Sequence, residues 1–309
     1  MSKSGKAIKA KADDLKEGDS VDNADRLIVR RKIGQGAYGK VWICYDTVLK
    51  HEVAVKTALV YENLGQEMEV YKVLQAKKPC LGCPRAFGNS TGKKNLPFFI
   101  SLALEGESLR ERLKNSRHVV VPKASVLSVA FHAIDAFDNV HGRDVIHVDV
   151  KPENIVYSET DYSIPLLLID FGLSTIVTGS GQNRKYPDLK GCSTFNKMYA
   201  SSYLYDMDPQ PCEVDDLIAL CYVLLELRNG KDYFNIDFEY TPVDELEQIR
   251  EKKENFTLNF PTLLKEEDQF LVPLFEAVFS LKRYEKPNYE FLFDIIQHTE
   301  GYIIGAYRF

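Results

Sequence analysis

The sequence predicts an α+β protein of two unequal lobes, a small antiparallel β lobe followed by a larger, mainly helical one. Two observations carry that expectation. From Arg26 onward, short β-rich runs alternate with Gly- or charge-rich turns; beyond Ser108 the apolar period lengthens to that of helices. Leu27–Val29, Val41–Ile43 and Val53–Val55 read as the first strands. A helix around 65–75 interrupts them, and Phe98–Ile100 is a further strand. Val126, Val129, Ala130, Ala133, Ile134, Phe137 and Val140 fall at helical spacing and mark one buried face. The run 217–227 is apolar nearly all round, as a helix at the centre of a larger domain would be. Segments near 266–280 and 288–298 also read as helical, the first with a kink at Pro273. Residues 1–25 hold almost no large apolar side chains and are expected to form a disordered tail. The lobes are then 26–103 and 104–303, joined near 104–107 within one domain.

Composition narrows the classes of partner. The chain has 309 residues, 45% apolar and 27% charged, enough to bury a core without metal or disulfide staples. Thirty-nine Lys and Arg against 45 Asp and Glu leave a net charge of -6, so no nucleic acid is expected as a bulk partner. The longest apolar run, Leu217 to Leu225, falls well short of the roughly 20 residues of a membrane helix. The amino terminus carries no apolar stretch of a secretory signal. An intracellular protein, cytoplasmic or nuclear, is the expectation. Cys80 and Cys83 form a CxxC in a Pro/Gly loop; two reduced thiols are the plainer reading, a metal or redox pair the alternative.

Three motifs carry chemistry. Gly34, Gln35, Gly36, Ala37, Tyr38 and Gly39 form a GxGxxG followed by the β-branched and aromatic run 40–45. A dinucleotide-binding version would open a helix, so these glycines form a hairpin tip instead. Their use would be to let backbone N–H groups lie over phosphates; a bare Gly-rich hairpin is the plainer alternative. Lys56 ends the strand 53–55, where it either snorkels to solvent or pairs with phosphate oxygens. In the second case it needs a carboxylate, from Glu67 or Glu69, with Glu67 favoured by its place on the helix. The third motif is His147-Val148-Asp149-Val150-Lys151-Pro152-Glu153-Asn154, followed by Asp170-Phe171-Gly172. Phosphoryl transfer asks for a base near the acceptor hydroxyl, a cation near the moving charge and oxygen ligands for Mg²⁺. Asp149, Lys151 and the pair Asn154 with Asp170 would fill those roles.

Taken together, GQGAYGKV, VAVK, HVDVKPEN and DFG resemble the eukaryotic protein kinase set across about residues 26–300. The narrower resemblance is to the casein kinase I and vaccinia-related kinase group. It rests on QEMEVYKVLQ around Glu67, on Tyr199-Ala200-Ser201 where an Ala-Pro-Glu is usual, and on Lys286-Pro287-Asn288-Tyr289. The resemblance implies the two-lobed protein kinase fold, with ATP and Mg²⁺ as cofactors. It implies protein substrates with Ser or Thr acceptors and a monomer. Ile33, Val41 and Ala54 would clasp the adenine, Leu102 would be the gatekeeper, and Leu104 and Glu105 would offer hinge backbone groups. Asp216 would tether the catalytic loop from below. Lys151, two residues after the base, favours Ser/Thr over Tyr. A pseudokinase scaffold and a small-molecule kinase are the alternatives.

The departures from the group bear on regulation and substrate. Val148 replaces the arginine that usually precedes the catalytic aspartate, so no cation there can pair with an activation-loop phosphate. The enzyme is therefore expected to be active as made, its loop held by packing and backbone hydrogen bonds. Ser174, Thr175, Thr178, Ser180, Tyr186, Ser193 and Thr194 are then solvated loop hydroxyls. Met198 stands where relatives place an arginine, and Thr241–Glu245 replaces a basic cluster. Little preference for acidic or phosphorylated substrates is expected.

Overall fold

The structure is a computed structural model. It describes residues 15–303 apart from 23, 37–38, 60–63, 77, 91–96, 116–119, 160–164, 190–195, 207–208, 231–232 and 235–245. The first lobe is a five-stranded antiparallel sheet in the order β1-β2-β3-β5-β4. Its strands are β1 (Leu27–Gly36), β2 (Gly39–Asp46), β3 (His51–Ala58), β4 (Ala86–Ser90) and β5 (Phe98–Ala103). One helix, α1 (Gly65–Leu74), packs between β3 and β4 in chain order.

Strand alternation sorts the side chains of this sheet. Val41 pairs with Lys56, Ile43 with Ala54, and Ala54 with Leu102, so these residues share one face. The opposite face, with Trp42, Cys44, Val53 and Val55, belongs to a separate apolar cluster. Leu15 and Val21 complete that cluster, which corrects the expected tail: residues 15–22 are folded. The Val29 N–H donates to the Asp19 carbonyl at 2.9 Å, and Val21 N–H to the Leu27 carbonyl at 2.9 Å. Two apolar side chains in an otherwise charged stretch suffice to dock it on an open sheet face. The earlier residues of the expected tail lie outside those described.

The second lobe is built on helices α2 (Leu109–Asn115), α3 (Lys123–His141), α4 (Glu213–Asn229), α5 (Leu246–Leu263), α6 (Val272–Phe279) and α7 (Tyr289–His298). All seven residues of the helical stripe in α3 are fully buried, as their spacing requires. α4 is buried from Glu213 to Leu227 and forms the lobe's axis. Asp215 caps its start by accepting from the Cys212 N–H at 2.9 Å, and Gly230, at φ +71°, ends it in the left-handed conformation. Pro273 kinks nothing. It stands in the first turn of α6, where a missing N–H costs no bond, after a 3₁₀ stretch Glu266–Leu271. Two short pairings, of β6 (Val145–Ile146) with β9 (Thr175–Ile176) and β7 (Ile155–Tyr157) with β8 (Leu166–Leu168), lie between α3 and α4.

Candidate active site

The site lies where the sheet meets these short strands. Lys56 Nζ sits 2.6 Å from Glu67 Oε2 and 2.7 Å from Asp170 Oδ1. α1 supplies Glu67, whose side chain is 1% exposed, while that of Asp170 is 40% exposed and faces the cleft. Glu69, the other candidate partner, is exposed and pairs with Lys72. Burial alone would lower the Lys56 ammonium's pKa, but the two carboxylates outweigh it and hold it above the ordinary lysine value. Burial likewise opposes ionisation of Asp170, yet Lys56 keeps that carboxyl below its usual range. For Glu67 burial wins, and its carboxyl stays above the ordinary value despite the lysine.

Asp149 and Asn154 form the second half. Lys151 Nζ donates to Asp149 Oδ2 at 2.6 Å, and Asn154 Nδ2 donates to the Asp149 carbonyl at 2.8 Å and to Oδ2 at 3.0 Å. The Ile169 N–H donates to the Asn154 carbonyl at 3.0 Å, which brings Asp170 beside the catalytic-loop segment. Phe171 is fully buried and meets the Tyr71 ring of α1 at 5.3 Å and the His147 ring at 4.9 Å. Gln66 Nε2 donates to the Ser174 carbonyl at 2.8 Å. α1, the Asp-Phe-Gly turn and the catalytic loop are thus locked together with Lys56 already paired.

The remaining predicted positions fall around this centre. Ile33 sits at an irregularity in the β1–β2 register and is 44% exposed. Val41, Ala54 and Leu102 share the Lys56 face of the sheet. Leu104 and Glu105 follow Ala103, whose N–H donates to the Arg85 carbonyl, and precede Gly106, whose N–H donates to the Tyr157 carbonyl. Glu105 Oε2 accepts from the Glu159 N–H at 2.9 Å. Gly34, Gln35, Gly36 and Gly39 form the hairpin, with Gly36 paired to Gly39; Ala37 and Tyr38 lie outside the described residues. Gly39 has a reason in the fold, since φ is +153° and a Cβ would meet the Thr57 carbonyl at 2.2 Å. Gly36 has none: its φ is ordinary and a Cβ there would meet nothing within 4 Å.

Asp216 accepts from the His147 N–H at 2.7 Å and the Val148 N–H at 2.8 Å, the place the resemblance implies. Its neighbours at the start of α4 were not singled out by the sequence. Glu213 takes Arg184 Nη2 at 2.5 Å, and Asp215 takes Ser201 Oγ at 2.5 Å and Arg283 Nη2 at 2.9 Å. The activation segment is therefore held by buried ion pairs as well as by packing, which corrects the expectation. Arg184 also reaches Asp144 at 3.0 Å. Ser174 and Thr175 are buried rather than solvated, and Ser174 Oγ donates to the His147 carbonyl at 3.1 Å. Thr178 and Ser180 are exposed; Ser193, Thr194 and Thr241–Glu245 lie outside the described residues. Cys80 and Cys83 are both buried free thiols, and no cluster of metal-binding side chains occurs among the described residues.

Residues 27–284 match the protein kinase domain family, and the chain belongs to that family. It is 25% identical over 287 residues to a probable casein kinase I homolog of Encephalitozoon cuniculi, a match covering 90% of this chain and 87% of the relative. It is 28% identical over 273 residues to a probable serine/threonine-protein kinase of Dictyostelium discoideum, covering 86% of this chain and 52% of that protein. No helix among the described residues is long and apolar enough to cross a membrane.

Proposed function

We propose that this protein kinase transfers the γ-phosphate of ATP to Ser and Thr hydroxyls of proteins, is casein kinase I-like, and is active without a phosphate on its activation segment. The observation that carries the reading is the convergence of two polar sets on one cleft: Lys56 with Glu67 and Asp170, and Asp149 with Lys151 and Asn154. Their donor chemistry fits ATP and Mg²⁺. Asn154 spends its amide N–H groups on Asp149, so its amide oxygen is left for a hard cation beside the Asp170 carboxylate. When bound, the nucleotide supplies the phosphoryl group and the metal neutralises its developing charge. Lys56 would hold phosphate oxygens, and Ile33, Val41, Ala54, Leu102, Leu104 and Glu105 would line the base. Gly36 favours the phosphate-covering reading of the hairpin, because the fold makes no demand for glycine there.

Asp149 would orient the acceptor hydroxyl and take its proton, while Lys151 balances charge at the same carboxylate. The Ser/Thr assignment draws on Lys151 and on the name of the Dictyostelium discoideum relative. A monomer and an intracellular site of action complete the reading. Substrate choice follows from the missing cations. Arg250, one remaining candidate reader of acidic groups, is paired with Asp206 at 3.2 Å and Glu254 at 2.9 Å. A degenerate peptide library tests this reading position by position. Transfer to Ser and Thr with weak preference for acidic or phosphorylated residues upstream is expected. Transfer to Tyr, or a strict requirement for phosphoserine three positions upstream, contradicts it.

A further inference from the structure

Lys253, in α5, has no solvent exposure. A buried ammonium is costly unless each of its N–H groups finds an acceptor. Here Nζ donates to the carbonyls of Lys197 at 2.7 Å, Met198 at 3.0 Å and Ala200 at 2.5 Å. An ammonium has three donors, and three carbonyls converge on it. The rings of Tyr205, Tyr222 and Phe234 surround the same nitrogen at 5.3, 5.0 and 5.7 Å. Tyr205 also donates its hydroxyl to the Lys197 carbonyl at 2.6 Å.

The strip that Lys253 grips runs on toward the catalytic loop. Within it the Tyr199 hydroxyl bonds Glu226 and accepts from Arg110 Nη2 at 2.8 Å. Arg110 Nε in turn donates to Glu153 Oε1 at 2.7 Å, in the turn 152–154 whose Asn154 bonds Asp149. One edge of the strip is therefore fixed to α5 by a cation and the other to the catalytic loop by an ion-pair chain. Lys253 Nζ bonds segment 197–200, whereas Lys56 bonds Glu67 and Asp170, the set that would serve the nucleotide. An apolar residue of similar length would fill the space but take a donor from all three carbonyls, leaving Lys197 only the Tyr205 hydroxyl and removing the Lys253 bond from Met198 and Ala200.

We infer that Lys253 is a positioning residue for the protein substrate: it sets the height of segment 197–200 beside the catalytic loop, and so acts on the acceptor rather than on ATP. The inference rests on the protein kinase reading of the cleft. Steady-state kinetics on a peptide, together with basal ATP hydrolysis in which water replaces the acceptor, separate the two roles. Lys253→Met should lower kcat/KM for peptide about tenfold or more, while KM for ATP and basal hydrolysis stay within about twofold. Lys253→Arg, which keeps the charge and donors, should recover most of the loss. Should Lys253→Met not fold, Tyr205→Phe removes only the hydroxyl shared at the Lys197 carbonyl and should show the same selectivity at smaller size. Unchanged peptide kinetics, or peptide and ATP parameters falling together, in the variant that folds would overturn the inference. A wild-type chain that binds ATP but phosphorylates no peptide contradicts the kinase reading itself, and the inference falls with it.

Discussion

Val148 shows what the catalytic loop requires of single residues. It is β-branched yet sits at φ +71°, a conformation that costs about 1–3 kcal/mol and persists only where the surroundings over-determine it. Asp216 supplies that determination by accepting the N–H groups of both His147 and Val148, and its own carboxylate is fixed by His141 Nε2 at 2.9 Å. Lys56 is the second residue on which much depends, because it neutralises two carboxylates at once. Lys56→Met should abolish phosphoryl transfer and change the pH dependence of folding. Burial already holds the Glu67 carboxyl above its ordinary value, and the variant removes the cation that opposes this. A carboxyl whose folded pKa is raised stabilises the protein at low pH and loses that contribution as pH rises through the folded value. Thermal unfolding of Lys56→Met should therefore weaken with rising pH more steeply than wild type, and adding Glu67→Gln should flatten the slope. Parallel curves for all three proteins would show that Glu67 does not depend on this lysine.

At the scale of elements, the start of α4 organises the helical lobe. Three adjacent buried acids each hold a different segment: Glu213 the activation segment through Arg184, Asp215 the strip near Ser201, and Asp216 the catalytic loop. This explains how the activation segment keeps its shape with Val148 in place of a phosphate-reading cation. Two outcomes follow. Phosphatase treatment of the purified protein should change its rate on a peptide by less than about tenfold, some 1.4 kcal/mol of barrier. Arg184→Leu, by contrast, leaves Glu213 buried without its cation and should cost about 3 kcal/mol of stability in denaturant unfolding, with loss of activity. A large effect of phosphatase with a small effect of Arg184→Leu would place control of the segment elsewhere. These acids and their partners were the part of the site least legible in the sequence. Apolar stripes such as that of α3 reveal themselves by period, and the chemistry of 149–154 and 170–172 is local in the chain. Arg184, Glu213, Asp215 and Lys253 look like ordinary surface charges until the fold buries them, since their partners lie far off in sequence.

The whole molecule places a β lobe over a helical one, with the cleft between them lined from both. Strands β1, β2, β3 and β5 and helices α1, α3, α4, α6 and α7 followed from patterning, as did the pairing of Lys56 with Glu67 rather than Glu69. The docking of Leu15 and Val21 did not, because two apolar residues among charges make no period. Pro273 misled for a related reason: a proline marks a helix start as readily as a kink, and only the preceding 3₁₀ turn decides between them. The central claim is that this cleft moves a phosphoryl group from ATP to a protein hydroxyl with Asp149 as the base. It is tested most directly by incubating wild type and Asp149→Asn with γ-labelled ATP, Mg²⁺ and a Ser/Thr peptide, with nucleotide affinity measured alongside. The variant should lose about 10²-fold or more in kcat while binding ATP as wild type does. Near-normal turnover by Asp149→Asn, or a wild-type chain that binds ATP and labels no peptide, would contradict the account.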